Sequence, residues 1–378
     1  MHRLNKALGI VLARALVAFA VLTAYGCPRQ LDYGLVVPRD VDWPPTATAA
    51  EAAAPEFAGL NLAAAARYSA NRDGAALVVL RHGKLLYQSG QNGRELLQAR
   101  HLFSGTKSFS CALAVVLQSD GTLDLDQPAA QVLTQWQADP RKSRITPRQL
   151  LNFTSGLAEN QADLTRDGLL QRPKVQDKYA LAVALPAIHE PGRHYTYGSQ
   201  HLMAFGAWVF AKTARDPLEL LQERVFGPIG MKIAGWHRDG AGHAALPYGA
   251  WTTALEWAKF GELVRQQGQW LGKQVLDAAM LDGCLQGSDV MPLYGHSWWL
   301  NRTLSKELTD SAELPPRVVA AKGPAFGALA PADLVIAAGY DDQRLYISRS
   351  LGLVVVRFGA GSLRWSDAEF WAALMGKD

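Results

Sequence analysis

Segments typical of β-strands lie near both ends of this 378-residue chain, and helical patterns fill the part between them. Leu77–Leu80 and Leu85–Tyr87 predict a β-hairpin that closes at Gly83. Three later strands are predicted at Leu334–Ala338, Leu345–Ser348 and Leu353–Phe358. Strands from the two ends can pair in one sheet, which leaves the middle beside it and a cleft between them. The order of elements predicts an α+β fold: an α/β sandwich with an antiparallel sheet and an all-α subdomain.

Three of the predicted helices begin at a Ser or Thr that is followed three residues later by Glu or Gln. This is the spacing of a capping box, in which two side chains satisfy exposed amides at the start of a helix. The helices follow Thr146, Thr253 and Ser366. A fourth helix is predicted by its apolar spacing from about Gly105 to Gln118.

The net positive charge of the chain lies in its first 30 residues. The sequence has 38 Lys and Arg against 34 Asp and Glu, a formal net charge of +4. Residues 1–30 hold four of the basic residues and no acidic one, so the rest of the chain has 34 of each. A neutral body gives no electrostatic reason to bind nucleic acid, and no such partner is expected.

The N-terminus has the pattern of an export signal. A short basic start is followed by the apolar stretch Ala7–Gly26, which Arg14 interrupts, and then by Cys27. Three alternatives remain open: a cleaved secretory signal, a lipoprotein signal acylated at Cys27, and a retained membrane anchor. Each places the body outside the cytoplasm, in the periplasm or cell envelope, with possible membrane attachment through the N-terminus.

The predicted organisation has three parts. Residues 1–26 form the signal or anchor, and residues 27–58, rich in Pro and Ala, form a linker or arm. Residues 59–378 form one domain, whose sheet part covers about 59–103 and 328–378 and whose helical part covers about 104–327. Three cysteines cannot staple a chain of this length, so Cys111 and Cys284 are predicted to be buried free thiols.

Ser104-Gly105-Thr106-Lys107 is the single Ser-x-x-Lys sequence of the chain. On a helix, positions i and i+3 lie one turn apart, so the Lys107 amine can reach the Ser104 hydroxyl. A serine hydroxyl is a weak nucleophile until a base accepts its proton, and lysine can be that base if burial lowers its pKa. The same pair is also typical of a capped helix with a surface lysine.

Several blocks in a fixed order place this pair in a wider context. Phe103–Phe109 is followed by Asp120–Pro128 and then by Ile145–Leu157. Together they resemble the serine β-lactamase and penicillin-binding-protein-like hydrolases. The branch is the one with class C β-lactamases, family VIII-type esterases, D-aminopeptidases and 6-aminohexanoate-dimer hydrolase. The resemblance covers roughly residues 60–378 and implies the β-lactamase/transpeptidase-like fold.

The resemblance implies roles for further residues. Glu190–Ser199 looks like the block that carries the family's Tyr-x-Asn or Tyr-x-Ser element, which places the catalytic tyrosine at Tyr197 and its polar partner at Ser199. Tyr195 is expected to pack in the core. Two aromatic blocks, Trp251–Gly261 and Tyr294–Leu300, also match and are expected to line the cleft or to pack beneath it.

The third element of the family departs from the Lys-Thr-Gly of its β-lactam-recognising members, which this chain lacks. Ala337-Ala338-Gly339-Tyr340 stands in its place and looks like the variant of esterase and amide-hydrolase relatives, although Asp342 replaces a usual glycine. We expect Ala337, Gly339 and Tyr340 to border the site and supply a backbone N–H to an oxyanion. An ordinary hairpin turn is the alternative.

These observations predict an exported serine hydrolase that cleaves a small ester or amide through an acyl-enzyme on Ser104, with Lys107 and Tyr197 as proton-transfer groups. No cofactor or metal is expected, and His194 and His201 are interpreted as packing or surface residues. Two alternatives stay open: a β-lactamase or D,D-peptidase, and a catalytically silent envelope binding protein.

Overall fold

Eleven strands are formed by the residues that the computed structural model describes, which are 43–48, 51, 58–90, 95–159, 176–304, 323–361 and 364–377. Six of these strands form one antiparallel sheet in the order β2-β1-β11-β10-β9-β8. The eleven are β1 (Gly74–Arg81), β2 (Lys84–Gly90), β3 (Arg100–His101), β4 (Gly235–Trp236), β5 (Ala250–Thr252), β6 (Gln269–Trp270), β7 (Lys273–Gln274), β8 (Trp299–Leu300), β9 (Val335–Gly339), β10 (Gln343–Ser348) and β11 (Leu353–Gly359).

The sheet joins the two ends of the chain, as the order of elements predicts. β1 pairs with β2 on one side, from Arg81 opposite Lys84, and with β11 on the other, with Leu80 opposite Val354. All six residues Ala75–Leu80 are buried, because helices cover both faces of this strand. The predicted hairpin, the three late strands and the antiparallel sheet are therefore confirmed.

Nine α-helices surround this sheet and fill the middle of the chain in the described ranges. They are α1 (Leu62–Ala70), α2 (Phe109–Ser119), α3 (Pro147–Leu151), α4 (Lys178–Ala184), α5 (Gln200–Thr213), α6 (Pro217–Leu221), α7 (Ala254–Arg265), α8 (Ala278–Cys284) and α9 (Asp367–Leu374). The three predicted caps are present: the side chains of Thr146, Thr253 and Ser366 accept the amides at the starts of α3, α7 and α9.

The sheet has a helical layer on each face. Alternate residues of a strand point to opposite faces. On one face, α7 packs on β10 and β11, and its Trp257 stacks on Phe358. On the other face, Tyr346 contacts Phe370 of α9, which packs against α1. This is the predicted α/β sandwich.

Two details differ from the sequence prediction. The helix expected from Gly105 begins as a 3-10 helix over Phe103–Ser108 and becomes α-helical only at Phe109. The middle of the chain is not purely helical, because β3, β5 and β4 form a small sheet and β6 and β7 a hairpin. These strands have two or three residues each, which is too short for an alternating pattern, and only tertiary contacts pair them.

Cys111 and Cys284 are buried free thiols, as predicted, and burial raises the pKa of Cys284. The export signal and most of the linker lie outside the described residues. Within the described ranges, no helix combines the length and apolar character needed to cross a membrane.

Candidate active site

Ser104 and Lys107 lie on the 3-10 helix between β3 and α2. In a 3-10 helix residues i and i+3 lie directly above one another, which aligns the two side chains more closely than an α-helix does. Lys107 Nζ lies 3.0 Å from Ser104 Oγ. Ser104 is half-buried, whereas Lys107 is 3% exposed. The hydroxyl is thus accessible and the amine beside it is shielded from solvent.

The buried Lys107 amine makes a second hydrogen bond on the side of the protein interior. Its Nζ donates to the carbonyl oxygen of Pro247 at 2.8 Å. Burial disfavours the charged ammonium and lowers the pKa of Lys107 to about 7. A lysine with this pKa is substantially neutral near pH 7, which is the form that accepts a proton.

The Tyr197 ring also lies near the Lys107 amine. Its ring centroid is 5.2 Å from Lys107 Nζ, and its ring stacks on Trp299 with centroids 5.5 Å apart. Burial raises the pKa of Tyr197 to about 12, although a hydrogen bond with Ser104 and the charge of Arg344 oppose that rise. The structure brings Ser104, Lys107 and Tyr197 together, and the phenol stays protonated where the amine is neutral.

The end of β9 packs against the turn that carries Ser104. A methyl group on Gly339 would overlap the carbonyl oxygen of Leu102, two residues before Ser104. Arg344 Nη1 donates to the Gly339 carbonyl at 3.1 Å, and Arg344 Nε donates to Asp367 at 2.8 Å. The buried Arg344–Asp367 pair thereby fixes the end of β9 against the turn that carries Ser104.

The other residues predicted for the site lie at different distances from Ser104, some at its turn and some in the core. Tyr340 follows Gly339 and contacts Phe103, with ring centroids 5.5 Å apart. Ala337 is buried in the sheet core, two residues before the strand end. Ser199 is buried at the N-cap position of α5, and Tyr195 packs in the core as expected. Of this set, Gly339 and Tyr340 therefore contact the segment that carries Ser104.

Three residues beside Ser104 or Gly339 have left-handed backbone conformations. Phe103, which precedes Ser104, has φ 48°, and Asp341 and Asp342 have φ 56° and 59°. Such angles are rare for residues other than glycine and cost of order 1–3 kcal/mol each. The Asp342 position, where the resembled variant has glycine, keeps the glycine-like backbone and places its carboxylate 3.7 Å from Arg344.

Two hydrogen-bonded contacts around the site have no local signal in the sequence. Nothing in the residue type of Pro247 indicates a role at the site, because its contribution is a backbone carbonyl that lies 140 residues from Lys107 in the sequence. His201 was interpreted as a packing or surface residue, and it is buried between Ser155 and the Thr196 carbonyl, each 2.8 Å from a ring nitrogen. Its position seven residues after His194 gave no indication of this.

A possible cation-binding group lies elsewhere among the described residues. Asp177, Asp239 and His243 bring one ligand atom each within 4.8 Å of one another. Both carboxylates already accept backbone amides: Asp177 caps α4, and Asp239 receives the amides of Ala241 and His243. These bonds account for the cluster as a turn-forming structure.

The antiparallel sheet with a helical layer on each face is the fold of the β-lactamase/transpeptidase-fold hydrolases. Residues 56–356 match the β-lactamase family, which covers most of the chain. The chain belongs to the β-lactamase family, and the resemblance and the predicted fold are confirmed.

Two curated relatives are hydrolases. A D-aminopeptidase of Brucella anthropi is 29% identical over 176 residues, 43% of this chain and 32% of that protein. Esterase EstB of Burkholderia gladioli is 27% identical over 196 residues, 46% of this chain and 50% of that protein. The matched part thus spans half or less of these relatives' own lengths.

Solved structures show the same fold. A Bacillus anthracis protein provisionally named a 6-aminohexanoate-dimer hydrolase superimposes with a TM-score of 0.65. The match covers 82% of this chain and 80% of that one, at 18% identity. At this level of identity the likeness concerns the architecture alone.

Proposed function

We propose that this protein is an exported serine hydrolase that cleaves a small ester or amide through an acyl-enzyme on Ser104. The single observation that carries the proposal is the 3.0 Å separation of Lys107 Nζ and Ser104 Oγ at a buried amine. A neutral Lys107 that donates to Pro247 keeps its lone pair for the Ser104 proton. An activated serine needs a neighbouring base of this kind.

In the acylation step, Ser104 Oγ forms a bond to the substrate carbonyl carbon and its proton moves to Lys107. The oxyanion accepts hydrogen bonds from the backbone N–H of Ser104 and from the backbone at the end of β9, at Gly339 and Tyr340. The Tyr197 phenol passes a proton to the leaving alcohol or amine as the bond to carbon breaks, and it recovers that proton from Lys107. Water then attacks the ester by the reverse route and releases the acid.

The difference between the two pKa values supports separate roles for Lys107 and Tyr197. Burial lowers the pKa of Lys107 to about 7 and raises the pKa of Tyr197 to about 12, so Lys107 is the base and Tyr197 the relay near neutral pH. The amide- and ester-cleaving names of the D-aminopeptidase and EstB relatives agree with an acyl-transfer reaction.

A fluorophosphonate probe with intact-mass spectrometry tests the nucleophile. The wild type should gain one adduct, located by peptide mapping on Ser104, and Ser104→Ala should gain none. Ser110→Ala is the matched control, because its hydroxyl is buried about two helical turns further along the same segment and has no hydrogen-bond partner in the described part of the chain. Equal labelling of Ser104→Ala and wild type would disprove the proposal, as would an unlabelled wild type, which is expected of a silent binding protein.

A β-lactamase or D,D-peptidase activity is the enzymatic alternative. No lysine is present at the Ala337 position, where β-lactam-recognising members carry the Lys of Lys-Thr-Gly. We therefore expect hydrolysis of a simple ester to exceed turnover of nitrocefin. Nitrocefin hydrolysis at a higher kcat/KM than ester hydrolysis would assign the chain to that alternative.

Export rests on the sequence of residues 1–27. The basic start and the apolar stretch support delivery to the periplasm or cell envelope, with or without attachment to the membrane. Fractionation of expressing bacteria, followed by mass spectrometry of the mature N-terminus, distinguishes cleavage before Cys27, lipidation at Cys27 and retention. Full-length protein in the cytoplasmic fraction would contradict export.

A further inference from the structure

Tyr340 is a large side chain that the fold leaves in contact with solvent. It is 51% exposed, and the other large apolar side chains with comparable exposure in the described ranges are Ile188, Phe210 and Leu271. Tyr340 differs from these three because it directly follows Gly339, whose backbone touches the segment that carries Ser104. An exposed aromatic ring beside a nucleophile is available to contact a substrate.

Phe103 extends this exposed surface to the nucleophile itself. Its ring meets the Tyr340 ring edge to face, with centroids 5.5 Å apart and planes at 70°. The left-handed backbone of Phe103, with φ 48°, sets the direction in which this ring leaves the turn directly before Ser104. The Phe103 ring also packs against the His101 ring, with ring centroids 4.0 Å apart, and this contact restrains the Phe103 side chain. We call Phe103 and Tyr340 the aromatic wall.

Two charged side chains near this wall, Arg344 and Asp341, are engaged with the protein, and Arg100 lies close enough to Asp341 to interact with its charge. Arg344 is 4% exposed and is held by Asp367, by the Gly339 carbonyl and by the neighbouring Asp342. Asp341 is partly buried beside Asp342, and an alanine at Gly361 would meet its carboxylate, so this side chain is directed towards the end of β11. The wall therefore offers ring faces and edges rather than an ion to a substrate.

We propose that the aromatic wall selects substrates that carry an aromatic ring or a similar flat apolar group next to the scissile carbonyl, with Tyr340 as the specificity-determining side chain. The inference rests on the proposed serine mechanism, because the wall acts only on a substrate that Ser104 attacks. Aromatic pairs gain from edge-to-face or offset contacts beyond the burial of their surface. An anionic acyl group would lose hydration against the two rings, and the guanidinium of Arg344 is buried and already held by Asp367.

Hydrolysis of ethyl esters in a pH-stat tests the proposal with the full chain. Ethyl acetate, ethyl phenylacetate and monoethyl succinate vary the acyl group alone, and benzyl acetate places the ring on a leaving alcohol of nearly the same basicity as ethanol. The wild type should prefer an aromatic ester to ethyl acetate by about tenfold or more in kcat/KM. The better of the two aromatic esters shows which side of the bond lies on the wall.

Variants of Tyr340 separate the wall from the catalytic groups. Tyr340→Ala removes the ring and keeps the backbone N–H, so the aromatic-to-acetate ratio of kcat/KM should fall by about tenfold. Tyr340→Phe keeps the ring and should keep the ratio. Phe210→Ala, which removes another exposed aromatic ring at α5, should change neither the ratio nor the rates.

The outcomes distinguish the two proposals. Activity that Ser104→Ala abolishes, combined with equal rates for ethyl acetate and both aromatic esters, would overturn the aromatic wall and leave the serine mechanism standing. A preference for monoethyl succinate would also overturn it. A ratio that Tyr340→Ala leaves unchanged would remove Tyr340 from specificity. Hydrolysis that survives in Ser104→Ala would overturn the mechanism itself.

Discussion

The Oγ of Ser155 lies 2.8 Å from Nδ1 of His201, and both side chains are fully buried behind the candidate site. The other ring nitrogen, Nε2, lies 2.8 Å from the carbonyl oxygen of Thr196. A carbonyl can only accept, so Nε2 carries the proton and Nδ1 accepts the Ser155 hydroxyl. Burial lowers the pKa of His201 to about 3, which keeps the ring neutral. The pair thus anchors the residue directly before Tyr197.

His201→Phe should lower kcat more than it raises KM. The new ring can still stack on Phe153, as the His201 ring does with centroids 4.9 Å apart. The Thr196 carbonyl and the Ser155 hydroxyl, however, lose their hydrogen-bond partner. Leaving such buried groups unsatisfied costs about 1–3 kcal/mol in the free energy of unfolding. Ester kinetics and urea denaturation measure the two effects.

Ser155→Ala is the matched comparison for His201. It also removes a buried hydrogen bond, yet it keeps the Nε2–Thr196 contact that holds Tyr197's neighbour. We expect it to lose stability and to retain a kcat closer to that of the wild type. Equal losses of kcat in both variants would mean that His201 acts on stability alone and does not position Tyr197.

Gly339→Ala should disable the enzyme by displacing β9 from the nucleophile's turn. Gly339 has φ −116°, which alanine adopts readily, so the effect comes from overlap of the methyl group with the Leu102 carbonyl. Loss of one oxyanion donor typically lowers the rate by about 10²–10³-fold. We expect a fall of that size in kcat/KM for an ester substrate.

Gly283→Ala serves as the control for this substitution. Gly283 lies in α8, and a methyl group there meets no atom within 4 Å. Alanine in a helix interior should be neutral or stabilising by up to about 1 kcal/mol. A Gly339→Ala enzyme as active as Gly283→Ala would show that the end of β9 does not contribute to the site.

Arg344→Lys should weaken both the strand end and the fold. The guanidinium donates at once to Asp367 and to the Gly339 carbonyl, and a single ammonium cannot reproduce that fork. We expect a loss of about 1–3 kcal/mol in the free energy of unfolding and a lower kcat/KM. Arg215→Lys, at an exposed pair with Glu223, should change neither quantity. Wild-type stability and kinetics in Arg344→Lys would contradict the anchoring role.

The sequence predicts those parts of the fold and site that depend on near neighbours. β1, β10 and β11 have apolar runs long enough to recognise, and the caps at Thr146, Thr253 and Ser366 need only three residues of context. The approach of Lys107 to Ser104 follows from a spacing of three, whether the turn is 3-10 or α.

The rest of the site depends on contacts between distant segments. The Pro247 carbonyl, the Ser155–His201 pair and the approach of Gly339 to Leu102 each join residues at least 46 positions apart. No local pattern encodes such contacts, because they form only when segments distant in the sequence pack together in the folded chain. The position of Tyr197 was predicted from the resemblance to a family rather than from its local spacing.

The rate of acylation should rise with pH through about 7. Burial lowers the pKa of Lys107 to about 7, and only the neutral amine accepts the Ser104 proton, so activity belongs to the form present above that pH. Well below the midpoint the rate should fall about tenfold per pH unit. Stopped-flow or gel-based labelling by a fluorophosphonate, measured between about pH 5 and 9, gives the profile without product release. A flat profile would contradict Lys107 as the base, as would a rate that still climbs about tenfold per pH unit at pH 9, which is expected if the amine keeps the ordinary lysine pKa of 10.5.

Asp341 is the neighbour whose titration could imitate that of Lys107. Burial and the adjacent Asp342 raise the pKa of Asp341 to about 6, and its turn follows Gly339 directly. Nearby histidines do not compete, because burial lowers the pKa of His101 and His201 to about 3, and partial burial lowers the pKa of His237 to about 4. Asp341→Asn should therefore leave the midpoint near 7. A midpoint that disappears in Asp341→Asn would assign the pH dependence to the β9–β10 turn instead of to the amine beside Ser104.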